Sequence, residues 1–170
     1  MAAVRPGGGW LPMAAALALG LGLGLGLMGA ATAQAAPEAP PTELVVRVGG
    51  FLGPTHVVEL GPTAVVCATW RHGQKLTQTT VQPTPAQWAL WRAQLAALHV
   101  DRWQKDYFNP KVLDGTQWLV RIVGPGLNVE SSGSNSYPQA DGQANGSPEQ
   151  TEAFQRFRAS FLTLGPACVL

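Results

Sequence analysis

The sequence predicts an α+β domain: an antiparallel sheet of about five or six strands with two amphipathic helices packed on one face. Three observations carry this. Short runs rich in Val and Thr alternate with glycine-containing turns between residues 43 and 81. Two aromatic stripes, Trp88/Trp91/Leu95/Leu98 and Phe154/Phe157/Phe161/Leu164, recur at helical spacing. Between them, two strand patterns meet at Gly124-Pro125-Gly126, a hairpin signal.

Residues 43–48 (ELVVRV) read as the first strand, with Leu44, Val46 and Val48 on one face. Residues 49–54 (GGFLGP) break it. Residues 56–60 form a second strand closed by Gly61-Pro62, and residues 64–70 a third that turns at His72-Gly73. Residues 75–81 form a fourth, rich in Thr. Thr84-Pro85-Ala86-Gln87 is a capping box with proline at the first helical position, and the first stripe follows it. That helix is expected to fade near residues 99–101. A linker carries Trp103, Tyr107, Phe108 and Asn109-Pro110. Residues 117–123 and 127–131 are the hairpin strands, and residues 132–145 read as a polar loop. Ser147-Pro148-Glu149-Gln150 repeats the capping pattern before the second stripe, and Gly165-Pro166 stops it.

The first 35 residues read as an export signal. Arg5 precedes an apolar run from Met13 to Ala31, and Ala33-Gln34-Ala35 offers the small-x-small pattern of a cleavage site. The Leu-Gly repeats weaken this run as a permanent membrane span, so no stable span is expected after cleavage. Retention as an anchor is the alternative. Residues 36–42 read as a proline-stiffened tether, and residues 43–170 as one domain.

With Arg5 removed from the eleven Lys and Arg, ten bases face ten acids. A neutral chain with no basic cluster argues against nucleic acid as a partner. Cys67 and Cys168 both lie in the domain. An oxidising compartment permits a disulfide between them, and two buried thiols are the alternative.

No metal-ligand spacing appears around His56, His72 and His99, and no nucleophile elbow, P-loop or dinucleotide fingerprint is present. No cofactor is expected. Asp101, Asp106 and Asp114 share one region, but scattered Asp near turns most often cap them. Asn145-Gly146-Ser147 matches a glycosylation acceptor, with Pro148 counting against its use.

One constellation remains: Trp103 and Tyr107, then Asp114-Gly115-Thr116-Gln117-Trp118, then Gly133-Ser134-Asn135-Ser136-Tyr137-Pro138. This W-x3-Y, DGT-x-W, GSN-x-YP arrangement resembles a family of small, mostly bacterial proteins of unknown function, over roughly residues 44–164 by element order. The family usually carries Ala where Ser136 stands here. The resemblance implies a fold and no activity.

Two readings of these residues follow from their chemistry. As a structural lock, the Asp114 carboxylate accepts turn donors, Asn135 takes a left-handed conformation, and Tyr137 and Trp118 bury their rings. As a binding site, Asp114, Asn135 and Tyr137 form the polar floor of a pocket beside Trp103 and Tyr107. The expected function is an exported, non-enzymatic domain binding a protein or small ligand. One alternative is an inhibitor of secreted hydrolases that inserts residues 49–55 or 132–146. A second is a weak hydrolase using Asp114. Exposed aromatics are expected on the open face of the sheet.

Overall fold

A computed structural model describes residues 39–170. The export signal, the alternative anchor and the first residues of the tether lie outside the described residues. The end of the tether is already part of the domain: Pro41 is buried, and the Thr42 N–H donates to the Val123 carbonyl at 2.7 Å.

Seven strands form one sheet. They are β1 (Glu43–Gly50), β2 (Thr55–Leu60), β3 (Val65–Arg71), β4 (Gln74–Val81), β5 (Asp106–Phe108), β6 (Thr116–Gly124) and β7 (Leu127–Ser134). Their spatial order is β4-β3-β2-β1-β6-β7-β5. The first four strands form the expected meander. His72 and Gly73 both take positive φ, 48° and 77°, as a two-residue hairpin turn requires. The long-range step is β1 against β6, with Leu44 opposite Ile122, Val46 opposite Val120 and Val48 opposite Trp118. That register places one apolar row of each strand on the same face.

Helices α1 (Pro85–Ala97) and α2 (Glu152–Ser160) pack Trp88, Trp91, Leu95, Phe154 and Phe157 into the core. The capping box of α1 is complete: Thr84 Oγ1 accepts from the Gln87 N–H at 3.2 Å, and Gln87 Oε1 accepts from the Thr84 N–H at 2.8 Å. Its C-cap is Leu98, and His99 turns left-handed at φ 50° into a 3-10 turn over Val100–Arg102. Both stripes are buried in full, from Trp88, Trp91, Leu95 and Leu98 to Phe154, Phe157, Phe161 and Leu164.

Three details differ from the sequence reading. The linker holds a strand, β5, which pairs parallel to β7 with Tyr107 opposite Gly133. Strand β7 runs on to Ser134, because β5 and β6 give its last residues partners on both sides. The N-cap of α2 is Thr151 and not Ser147. Thr151 Oγ1 accepts from the Phe154 N–H at 3.1 Å and donates to the Pro138 carbonyl. Ser147 caps only its own turn, accepting from the Glu149 N–H at 3.2 Å.

Cys67 and Cys168 form a buried disulfide across 101 residues of sequence, with Cα atoms 5.0 Å apart. It joins β3 to the tail beyond α2. Arg158 of α2 holds the same tail, donating from Nε to the Leu170 oxygen at 2.8 Å.

Candidate functional site

The residues singled out in sequence fall into two places. Trp103, Tyr107, Trp118, Asn135 and Tyr137 are buried, and Asp114 is exposed.

The buried group is a ring cluster under β5, β6 and β7. Trp118 lies 5.5 Å from Tyr107, 6.0 Å from Trp103 and 5.0 Å from Phe154 between ring centroids. Tyr137 reaches the same Phe154 at 4.9 Å, and Trp103 packs edge-on to Phe157 at 4.8 Å. The second helix thus plugs the cluster that the strand motifs build. The polar handles of Trp118 and Tyr107 are used locally, whereas the buried Trp103 Nε1 has no hydrogen-bond partner among the described residues. Trp118 Nε1 donates to the Ser136 carbonyl at 2.9 Å. The Tyr107 hydroxyl accepts from the Gln104 N–H at 2.8 Å and donates to the Gly142 carbonyl at 2.5 Å. Burial raises the Tyr107 phenol above its ordinary value, against the opposing pull of the Gln104 N–H.

Glycine at 133 is what admits the indole. A Cβ there would sit 2.3 Å from Trp118 Nε1, so only a residue without a side chain lets the ring cross β7. Asn135 follows at φ 53°. Its N–H donates to the Thr116 carbonyl at 3.0 Å, and its side-chain amide donates to the Val112 carbonyl at 3.2 Å. Asn135 thereby clamps the β5–β6 loop. Asp114, in that loop, does not take the backbone donors expected of it; it faces solvent. The loop segment after Asn135 is pinned as well. The Asn145 side chain accepts from the Tyr137 N–H at 3.1 Å and donates to the Glu149 carbonyl at 2.6 Å.

Two recesses lie near this cluster. The larger is a groove of 640 Å³ on the open face, at the end of the sheet where β1 turns into β2. Arg47, Gln117, Leu119 and Ser132 line it, with Phe51 and Phe108 among its walls. Gly49 and Gly50 line it as well, and a Cβ on Gly49 would collide with Thr55. Asp106 lines it too, its Oδ1 accepting from the Ser132 hydroxyl at 2.9 Å. Arg121 on the same face is held by Glu43 at 2.7 Å, whereas Arg47 has no ion pair among the described residues.

The smaller recess, 350 Å³, lies beneath residues 49–54 and is lined by His56, Asp114, Gln150 and Arg158. Of its two basic groups, Arg158 disfavours the charge on His56. Burial, then Arg158, lowers the His56 imidazole below its ordinary value; burial lowers the Arg158 guanidinium. Arg158 Nη1 is taken by Gln150 Oε1 at 2.6 Å.

Asp106 and Asp114 line different recesses, so they do not form one carboxylate pair facing a common space. Among the described residues no group of three His, Cys, Asp or Glu side chains could hold a metal ion, and no helix is long and apolar enough to cross a membrane. Sequence reasoning missed the groove residues Arg47, Gln117, Leu119 and Ser132. Their signal was strand alternation: each occupies the outward position beside a buried residue. No protein-family model, no curated protein and no solved structure matches the chain.

Proposed function

We propose that this chain is an exported, non-enzymatic binding domain that takes its ligand in the open-face groove between Phe51 and Phe108. The observation that carries this reading is the groove's composition. It combines two aromatic walls, a cation at Arg47 without an ion pair, and hydroxyl and amide groups at Thr55, Gln117, Ser132 and Ser134. Apolar contact area with a few placed polar groups is the usual make-up of a ligand site. The buried ring cluster beneath serves as its rigid support, with Tyr107 and Trp118 shared between the two.

A fragment library screened against the isotope-labelled chain by amide NMR tests this. Shifts concentrated on Arg47, Phe51, Phe108, Gln117 and Leu119 are expected, and loss of them in Arg47→Ala/Phe108→Ala. Hits scattered over the surface, or none, would remove the reading.

The exposure of Phe51 and Leu52, 75% and 80%, favours a second reading. Residues 49–55 would act as the inserted segment of an inhibitor of secreted hydrolases. Residues 132–146 are poor candidates for insertion, because Asn135, Ser136 and Tyr137 are buried. Inhibition of a secreted protease or lysin that disappears in Phe51→Ala/Leu52→Ala would establish this; inhibition that survives the double substitution would exclude it.

A further inference from the structure

The two edges of the sheet are built differently. Strand β5 closes one edge with three residues, and the charged Asp106 stands on it. Strand β4 forms the other edge with eight residues, and residues 74–80 are exposed on both faces of the sheet. An edge strand turns alternate N–H and C=O groups outward. Among the described residues, no backbone hydrogen bond from outside the sheet reaches β4. Sheet edges are usually blunted by charge, proline, bulges or short length. On β4 these devices sit only at the ends. Lys75 is its one charged residue, 5.0 Å from the Trp70 ring centroid. The register against β3 steps from Trp70–Lys75 to Thr69–Thr77, which leaves Leu76 as a bulge. Pro83 follows the far end. Between the bulge and the proline, residues 77–81 (TQTTV) pair with β3 without a break. Thr and Val favour extended pairing, and this run carries no charge.

We infer that residues 77–81 are the seam of a homodimer, in which β4 of a second copy pairs antiparallel across a two-fold axis at Thr79. That axis sets Thr79 opposite its own counterpart, Gln78 opposite Thr80 and Thr77 opposite Val81. Cross-strand Thr pairs are favourable, and the seam is complementary to itself. Charge selects this partner and this direction. Residues 60–100, which hold β3, β4 and α1, contain no Asp or Glu. Arg71, His72 and Lys75 crowd the hairpin end of β4, outside the seam. Antiparallel pairing about Thr79 sends the two hairpin ends to opposite ends of the seam. The two Lys75 backbones then stand about 25 Å apart, well beyond the ~8 Å over which salt leaves exposed charges coupled. Parallel pairing would set them side by side. Residues 76–84 carry no charge of either sign, so the seam has nothing with which to select a charged peptide. The β5 edge of another copy is a poorer match: it offers three residues, and β4-to-β5 pairing builds an open chain and not a closed pair. The seam is short, which makes the dimer a weak and transient one, below the ~1,200 Å² of a standard interface. The inference goes beyond the groove, which is lined from β1, β5, β6 and β7.

The test reads amide hydrogen exchange in the full chain, residue by residue, from about 10 µM to about 1 mM, a range that brackets weak association. Exchange at the outward amides of residues 77–81 is expected to slow several-fold as concentration rises, while the amides of β5 do not change. Thr79→Lys and Thr79→Glu each set like charges opposite one another at the axis, and each is expected to abolish that slowing. An equal mixture of the two variants sets Lys against Glu and is expected to restore it. Thr79 is exposed, so both substitutions leave the core intact. Should either variant fail to fold, the concentration dependence of the unsubstituted chain decides alone. Exchange in β4 that is independent of concentration overturns the inference, even where the chain associates through residues 1–38. So does slowing that survives both single variants, a mixture that fails to restore it, or joint protection of β4 and β5 in a growing assembly. Fragment contacts at Gln117 and Leu119 are read separately, so failure here leaves the groove reading intact.

Discussion

Asn135 occupies the space that a side chain at Gly115 would need: a Cβ on Gly115 would lie 1.8 Å from Asn135 Oδ1. The two residues come from separate motifs, yet neither works without the other. Gly115 opens the room, and Asn135 fills it with an amide bonded to Val112. Gly115→Ala is expected to destabilise the domain by about 2 kcal/mol, since it displaces that amide. Asn135→Gly keeps the positive φ and loses only the side chain, for about 1 kcal/mol. The double variant should be no worse than Asn135→Gly alone. Urea unfolding of the three variants measures this coupling, and additive losses would contradict it.

Tyr107→Phe removes a hydroxyl that both accepts and donates in a buried place. The Gln104 N–H and the Gly142 carbonyl then lose their partner. A loss of about 1–3 kcal/mol is expected, with faster amide exchange at Gln104. The core rings should keep their near-ultraviolet dichroism, because the ring itself stays.

Asp114→Ala addresses the lock and the hydrolase together. The carboxylate is exposed and holds no turn donor, so unfolding stability should change by less than about 0.5 kcal/mol. A larger loss would assign Asp114 a part in organising the turn. Hydrolytic turnover that Asp114→Ala abolishes in a folded chain would establish a catalytic role.

Replacing Cys67 and Cys168 by Ala releases a closure of 101 residues. The expected cost is about 2–5 kcal/mol. Amide protection should fall first in the tail around Cys168 and Leu170, which the bridge and Arg158 hold. A tail that stays protected without the bridge would show that Arg158 suffices.

The lowered pKa of His56 gives stability a definite slope with pH. The unfolded chain binds a proton near 6.5 that the folded imidazole resists, because of burial and Arg158. Unfolded chains therefore carry more protons in that range, and stability rises with pH there. It should be fully present above pH 6.5 and decline as pH falls toward the depressed folded value. The groups facing this imidazole across the recess are Arg158 and Asp114. Urea midpoints between pH 5 and 7.5 should show the slope, and His56→Gln should flatten it.

Much of the fold was legible because its signals are local. The capping box at Thr84 and Gln87 is formed by residues three apart, and the turns at His72-Gly73 and Gly126 are set by their own backbone. The start of α2 was misread for the opposite reason. Ser147-Pro148 carries the stronger local pattern, but Thr151 wins because its hydroxyl also bonds the Pro138 carbonyl from a remote loop. Strand β5 is three residues long, too short to show a period, and exists because β7 offers it an edge.

The sequence by itself determined the α+β class, the two buried stripes and the compatibility of Cys67 with Cys168, since periodicity, capping and residue type act over a few neighbours. Only the tertiary structure decided that Trp103, Tyr107, Trp118 and Tyr137 share one core, that Asp114 stands apart from them, and that Phe51, Leu52, Phe108 and Leu113 meet at one end. Those relations depend on the register of β1 against β6 and on the parallel edge of β5, pairings between residues far apart in the chain that no local pattern encodes.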